Sequence, residues 1–318
     1  MTDSTAFQQQ MRERFPEGLT GVFAIGGTRT TYILDRNRHQ PNPGQIQNFS
    51  DYADYILNGY LDFISLFLSL GGQNMVITAL SHHRFYEQGV RYAAFVAEAT
   101  RYLIRDRAVA YYQQQQIDPY FVGIDTLLHL PPEHPGHALA ADLAAFQRAW
   151  PYAAGRSKVI WEIAAIPLFS FWKAHEVMGE AARAQLETEL AQTADLNRAY
   201  ELLYRYYARA VYGTDLPMPH FYLGANRKGS LTLRSLFPIA LLCGGSFRLF
   251  YTPYPTLFTT RETLQAILHD LAFGKPPLQL QESDYSHQYT TELAEAEYHR
   301  FIGLRDDPLS TVGFLRKA

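Results

Sequence analysis

The sequence predicts an α/β fold, an open, mostly parallel central sheet of about six strands flanked by helices. Short apolar runs at 21–25, 75–80, 120–124, 158–163, 220–223 and 247–251 alternate with longer helical patterns, the rhythm in which crossover helices bring parallel strands side by side. Several of these runs, such as Val22-Phe23-Ala24-Ile25 and Val159-Ile160-Trp161, are apolar at successive positions, as strands buried on both faces are. With 318 residues, 47% of them hydrophobic and only 19% charged, the chain can bury a large core, and one domain over 1–318 is expected.

Each element has its own local signal. The first strand, 21–25, ends at Gly26-Gly27, where a buried strand would run into a loop. Residues 35–49 are polar and proline-bearing and read as loop. Ser50 is an N-cap type in front of a buried helix over 52–70, which Gly71-Gly72 stops. The second strand, 75–80, precedes a helix over about 86–112, and the third strand is 120–124. Residues 131–137 form a proline-rich loop and a helix follows to about Trp150. The fourth strand, 158–163, leads into a helical region over about 172–212, then come the fifth and sixth strands. Thr259 opens a last helix, because Glu262 three positions on completes a capping box and Gly274 can close it.

Composition narrows the function classes. A net charge of -3 supplies no global basic field for nucleic acid or anionic lipid, so an anionic ligand needs a local cluster. Cys243 is the only cysteine, which leaves no intramolecular disulfide and no cysteine zinc or iron-sulfur site and fits the cytosol. Residues 1–14 are polar and lack an apolar signal core, and no apolar stretch approaches the roughly 18 residues of a membrane span. Aromatic residues make up 14% of the chain, enough to line a long apolar pocket as well as a core; composition alone leaves both uses open.

Two loops carry candidate chemistry. Gly26-Gly27-Thr28-Arg29 follows the first strand, where glycines allow close backbone approach, amides can cradle phosphate oxygens and an arginine adds a planar cationic fork. An ordinary strand-ending turn with a solvated arginine has the same letters. The run lacks the glycine spacing of a dinucleotide fingerprint. Gly224-Ala225-Asn226-Arg227-Lys228-Gly229-Ser230 follows the fifth strand, with Arg234 and Ser235 just beyond. It is not a P-loop, since Ser230 stands where the lysine belongs, but it concentrates cations and hydroxyls at the carboxyl end of a strand, where α/β sheets place ligands. A solvated basic loop would look alike. His82-His83 and His134-x-x-His137 lack the neighbouring carboxylates or cysteines of a zinc site, and no metal site is expected. His175-Glu176 has Gly179 in place of a second zincin histidine, and Ser246 is not in a hydrolase elbow.

Together the two loops resemble the cis-prenyltransferases. Residues 22–34 are similar to that family's first motif, which holds the allylic diphosphate; the 227–235 loop is similar to its late arginine and serine motif; and Arg248-Leu249-Phe250-Tyr251-Thr252 is similar to its Glu-Leu-Tyr-Phe-Thr strand. Ile25-Gly26-Gly27-Thr28-Arg29-Thr30 and Thr260-Arg261-Glu262-Thr263-Leu264 bring the chain closer to a bacterial branch of diterpene synthases typified by tuberculosinol and isotuberculosinol synthase. Residues 76–92 extend the likeness, while 130–215 align only loosely.

The resemblance implies a cis-prenyltransferase-like fold, an isoprenoid diphosphate ligand, a homodimer and an enzyme that ionises an allylic diphosphate. A bicyclic C20 substrate such as kolavenyl diphosphate, trapped by water as a tertiary alcohol, is the nearest match. Gly27, Thr28, Arg29, Arg227, Ser230 and Arg234 are the implied diphosphate-binding residues, with Arg29, Tyr52 and Arg248 in catalytic roles. Tyr52 falls near an active-site tyrosine of the branch and is a candidate for orienting water; a packed helix tyrosine is the alternative. The departures matter as much. Gly26 stands in place of the family aspartate and Arg248 in place of the magnesium-binding glutamate. Magnesium would then accompany the substrate diphosphate with no protein carboxylate holding it, and Arg248 would supply part of its charge if it faces the diphosphate; the alternative is that Arg248 faces solvent or an ordinary salt bridge. Chain elongation is the alternative activity, and a non-catalytic partner subunit of the same fold is the alternative to an enzyme.

Overall fold

The computed structural model describes residues 4–39, 46, 48–86, 89–225, 247–274 and 290–306. Its frame is a six-stranded sheet in the order β3-β4-β2-β1-β5-β6, with every neighbouring pair parallel. The strands are β1 (Leu19–Ala24), β2 (Gly72–Leu80), β3 (Ile117–Val122), β4 (Ser157–Ile163), β5 (Phe221–Ala225) and β6 (Arg248–Thr252). Each overlaps an apolar run legible in the sequence, with ends moved by a few residues. The helices are α1 (Ser4–Arg14), α2 (Thr28–Tyr32), α3 (Phe49–Ser69), α4 (His83–Tyr86), α5 (Val90–Arg101), α6 (Asp106–Gln114), α7 (Ile124–Leu128), α8 (Pro135–Ala149), α9 (Pro167–Val177), α10 (Gly179–Ala191), α11 (Leu196–Tyr212), α12 (Arg261–Phe273) and α13 (Thr291–Asp306). A π-helical turn, Ile33–Asn37, prolongs α2. None of the described helices is long and apolar enough to cross a membrane.

A parallel sheet must be covered on both faces, and the side-chain alternation of its strands shows how. Val22, Val76, Ile160 and Tyr222 point to a core shared with Tyr204, Tyr207, Ala208 and Tyr212 of α11. Phe23, Ile77, Trp161 and Phe221 point the other way, into a larger core with α3, α5 and α8. Phe23 lies edge-on to Phe63, Phe67 and Phe221 at centroid distances of 5.2, 5.0 and 5.4 Å, contacts that each add about 0.5–1.5 kcal/mol beyond area burial.

The helix boundaries differ from the sequence expectation for identifiable reasons. Asn48, not Ser50, caps α3: its Oδ1 accepts the N–H of Asp51 at 3.1 Å, while the Ser50 hydroxyl lies 3.3 Å from the Tyr102 hydroxyl. Thr260, not Thr259, caps α12 by accepting the Thr263 N–H at 3.3 Å. The expected helix over 86–112 is divided among α4, α5, a 3-10 turn at Tyr102–Ile104 and α6, with Gly89 at positive φ and Arg105 in extended geometry at the breaks. The expected region over 172–212 is three helices, the last capped by Asp195, which accepts the Asn197 N–H. Part of the expected loop over 35–49 is the π-helical turn after α2. The helix α1 had too weak a pattern to predict, since Phe7 and Met11 are the only buried positions among its residues of described burial.

For the site, the decisive feature is the position of β1. It lies between β2 and β5, so the chain continues to one side of β1 first and to the other later, and the carboxyl end of β1 is the switch point at which open α/β sheets form a ligand crevice.

Candidate functional site

At that switch point, above the carboxyl ends of β1 and β2, the structure has a cleft of about 720 Å³ lined by residues from Ala24 to Thr30, Ile46, Tyr52, Thr78 to Ser81, Arg84, Tyr92 and Phe95. Its size falls within the range of about 300–1,000 Å³ common for small-molecule sites.

One wall is the loop after β1. Gly27 adopts left-handed geometry (φ 80°, ψ 21°) as the residue before α2, a conformation that costs an L side chain about 1–2 kcal/mol. Its carbonyl accepts the Thr31 N–H at 2.8 Å and the Thr31 hydroxyl at 3.0 Å. Thr28 and Arg29 therefore stand in the first helical turn, whose amides have no acceptor within the same helix, and both residues line the cleft. The Arg29 side chain is exposed.

Aromatic residues of α3 and α5 form a second wall. The nearly buried Tyr52 ring stacks on Phe95 at 5.8 Å, and Tyr92 stacks on Phe95 at 6.1 Å. The Tyr52 hydroxyl lies 3.4 Å from the Thr28 hydroxyl. Burial raises the Tyr52 pKa above its ordinary value, against a smaller opposing effect of the Thr28 hydrogen bond, so the phenol is neutral at physiological pH. A small apolar annex of about 90 Å³ continues from this wall between α3 and α5, past Ile56, Leu57, Tyr60, Val96 and Leu103.

The third wall is the end of β2. An irregularity between Thr78 and Leu80 shifts the register against β4 and re-aims the strand as bulges do. Ala164 closes it, at φ 54°, by donating its N–H to the Leu80 carbonyl at 2.8 Å. Arg84, one turn on, lies 5.9 Å from the Tyr92 ring centroid, within cation-π range. Two arginines line the cleft, and no Asp or Glu does among the described residues.

A larger cavity of about 1040 Å³ lies at the opposite, amino ends of the strands, lined by Arg156, Lys158, Arg198, Arg205 and Arg209 together with Glu17, Glu201 and Asp215. Most of its arginines are committed to carboxylates: Arg156 to Asp118 at 3.3 Å, Arg198 to Glu201 at 2.9 Å and Arg209 to Asp215. The smaller cleft is the candidate site by its place at the switch point and by a described lining that holds arginines and no Asp or Glu.

The structure thus brings Gly27, Thr28, Arg29 and Tyr52 together. Arg227, Lys228, Ser230 and Arg234 lie outside the described residues, as does Ser246. Arg248 takes the second of its two alternatives, an ordinary salt bridge away from the cleft. It is the first residue of β6, level with Phe221 and hence with Gly21, at the amino end of the sheet. Strand geometry puts it about 10 Å along and about 10 Å across from Ala24. Its guanidinium pairs with the Asp270 carboxylate and donates to the Asp270 carbonyl at 2.8 Å. Sequence reasoning passed over Thr78, Ser81, Arg84, Tyr92 and Phe95. The available signal was the polar cluster Ser81-His82-His83-Arg84 directly after a strand, read only for metal ligands.

Among the described residues no group of three or more His, Cys, Asp or Glu is placed to hold a metal ion. His134 instead caps α8 by accepting the Gly136 N–H at 3.1 Å, and His137 contacts the Leu130 carbonyl. The described cleft lining offers hydroxyls and arginines without a carboxylate, which does not fit a magnesium ion held by the protein.

No known family model matches the sequence, and no curated protein sequence does. Among solved structures the chain is similar to lavandulyl diphosphate synthase from Lavandula x intermedia in complex with dimethylallyl diphosphate, with a TM-score of 0.51 and 15% identity over 82% of this chain and 97% of that one. It is also similar to a probable undecaprenyl diphosphate synthase from Campylobacter jejuni, with a TM-score of 0.49 and 10% identity over 85% and 98% of the two chains. The first likeness, with the sheet order, shows a cis-prenyltransferase-like α/β fold.

Proposed function

We propose that the cleft binds an allylic prenyl diphosphate, expels the diphosphate and traps the cation with water. The observation that carries this reading is the pairing, at one switch point, of a glycine-shaped loop bearing Arg29 with an aromatic wall of Tyr52, Phe95 and Tyr92. Ionisation requires donors where charge develops on the leaving group and a shielded, water-poor wall for the cation. The first-turn amides with Arg29 and Arg84 supply the donors. β5 reaches this site, since its Gly224 pairs with Ala24 of β1, and Arg227, Ser230 and Arg234, which follow β5 in the sequence, belong to the same assignment by the resemblance. Aromatic faces stabilise the cation. Tyr52, held neutral, orients the water.

The likeness to the tuberculosinol synthase branch points to a C20 substrate, with kolavenyl diphosphate and the alcohol kolavelool as the nearest pair, and to a homodimer. Exposed Leu249 on the edge strand β6 suits a dimer contact there. Magnesium accompanies the substrate diphosphate. Chain elongation is the second reading, favoured by the prenyl-joining fold; Gly26 in place of a carboxylate argues against it. Incubation with geranylgeranyl or kolavenyl diphosphate, with and without labelled isopentenyl diphosphate, separates them. Diphosphate release with a C20 alcohol and no label in longer prenyl products is expected. Label in an extended chain would establish elongation, and no turnover of any allylic diphosphate would leave a partner subunit.

A further inference from the structure

Trapping a cation with water leaves a proton to be removed, and the described cleft lining has no group suited to take it. Its polar side chains are arginines, hydroxyls and phenols, with no His, Asp or Glu. A neutral phenol can orient a water but is a poor proton acceptor, and the raised pKa of Tyr52 keeps it neutral. The base is therefore the departing diphosphate or a carboxylate behind the wall.

One carboxylate stands there. Glu162 is 1% exposed near the carboxyl end of β4, and its register partner on β2 is Thr78, which lines the cleft. Both side chains point to the α11 face, in step with Val76 and Ile160. The Thr78 hydroxyl donates to Glu162 Oε2 at 2.6 Å, the short distance of a hydrogen bond to a charged acceptor. A hydroxyl that has given its only proton to a carboxylate can only accept from any other partner. Tyr207 and Tyr204 lie within electrostatic reach of Glu162, and their pKa values are raised chiefly by burial and further by Glu162. Enclosing a carboxylate among aromatic rings is costly unless it is hydrogen-bonded. The strained Ala164 turn, two residues on, fixes the end of β4 against Leu80 and so the Thr78–Glu162 register.

We infer that Thr78 and Glu162 form the proton-accepting couple of this site, an inference that rests on the ionisation reading above. As the water oxygen forms its C–O bond to the cation, its proton passes to Thr78 Oγ1 while the Thr78 proton passes to Glu162 Oε2. The electron pair of the broken C–O bond leaves on the diphosphate. Glu162 ends the step as a carboxylic acid and returns the proton through Thr78 to the released diphosphate or to solvent when product departs. Thr78 is the residue that touches the water; Glu162 acts through it.

The test follows diphosphate release and product partition separately, using kolavenyl and geranylgeranyl diphosphate as probes. Positioned bases contribute about 10²–10⁴-fold, so Thr78→Val and Glu162→Gln are expected to lower the ratio of alcohol to alkene at least about tenfold. Diphosphate release should change much less, and Thr78→Ser should restore the alcohol. Melting curves identify any variant that fails to fold, and the Thr78→Val and Thr78→Ser pair decides the matter if Glu162→Gln does. An alcohol fraction unchanged in folded Thr78→Val, with diphosphate released normally, would overturn the couple and leave the departing diphosphate as base. No diphosphate release by the wild type from either probe would instead bring down the ionisation reading and, with it, this inference.

Discussion

At the amino ends of the strands Arg156, Arg198, Arg209 and Arg248 each meet a carboxylate, whereas at the carboxyl ends Arg29 and Arg84 line a cleft with no Asp or Glu among its described residues. The same side chain occupies two settings, and its place on the sheet selects between them. At the amino ends the pairs are largely between exposed partners, which stabilise a fold by about 0–1 kcal/mol each. Asp118 is the exception, because it is 1% exposed and gathers the Trp150 indole N–H, the Ala153 amide and Arg156 at 3.0, 3.1 and 3.3 Å. At the carboxyl ends the described lining of the cleft holds Arg29 and Arg84 and no Asp or Glu, the sign of local charge that the proposed anionic ligand requires.

Three substitutions can break this contrast or sharpen it. The largest effect on stability is expected for Asp118→Ala, which strands an indole N–H, an amide and a guanidinium at once. Removing one partner of a buried ionic cluster costs about 3–5 kcal/mol, so urea unfolding should show a loss near the lower figure. The activity of the molecules that remain folded should be unchanged; a catalytic defect with intact stability would mean that the amino end is a functional site after all.

Arg29→Ala should do the reverse. Losing one preorganised donor to developing charge typically costs about 10²-fold in rate, while an exposed arginine in the first turn of α2 should move stability by about 0.5 kcal/mol at most. Single-turnover diphosphate release and a melting curve on the same preparation check both halves. Near-normal release by well-folded protein would remove the cleft assignment.

The smallest effect is expected at Arg248. Paired with Asp270 and partly exposed, it cannot stand in for the charge of magnesium at a cleft on the other end of the sheet. Arg248→Gln should keep turnover within about twofold of wild type and stability within about 1 kcal/mol. The ratio of activities with and without EDTA should be the same for both proteins. A chelator response that differs between them would put Arg248 at the diphosphate.

Parts of the site were legible because they are contiguous in the chain. Gly26-Gly27-Thr28-Arg29 shows its glycines and its cation in four letters after an apolar run, and the structure places that run on the cleft. Arg84, Tyr92 and Phe95 were not legible as site residues, because a stacked aromatic wall is written in the same letters as an ordinary helix core. Cap positions slipped by one or two residues for a related reason: Asn48 and Ser50 are both good N-caps, and which one captures an amide depends on where Tyr102 lies.

By itself the sequence determined the α/β class, the strands and the loop after β1, since these follow from runs and spacings within a few residues. Only the tertiary structure decided that Arg248 belongs to Asp270 and that Thr78 stands beside Glu162, 84 positions apart in the chain. In a parallel sheet the partner of a side chain is set by strand order and register, which depend on crossover connections and on packing against both faces rather than on neighbouring residues.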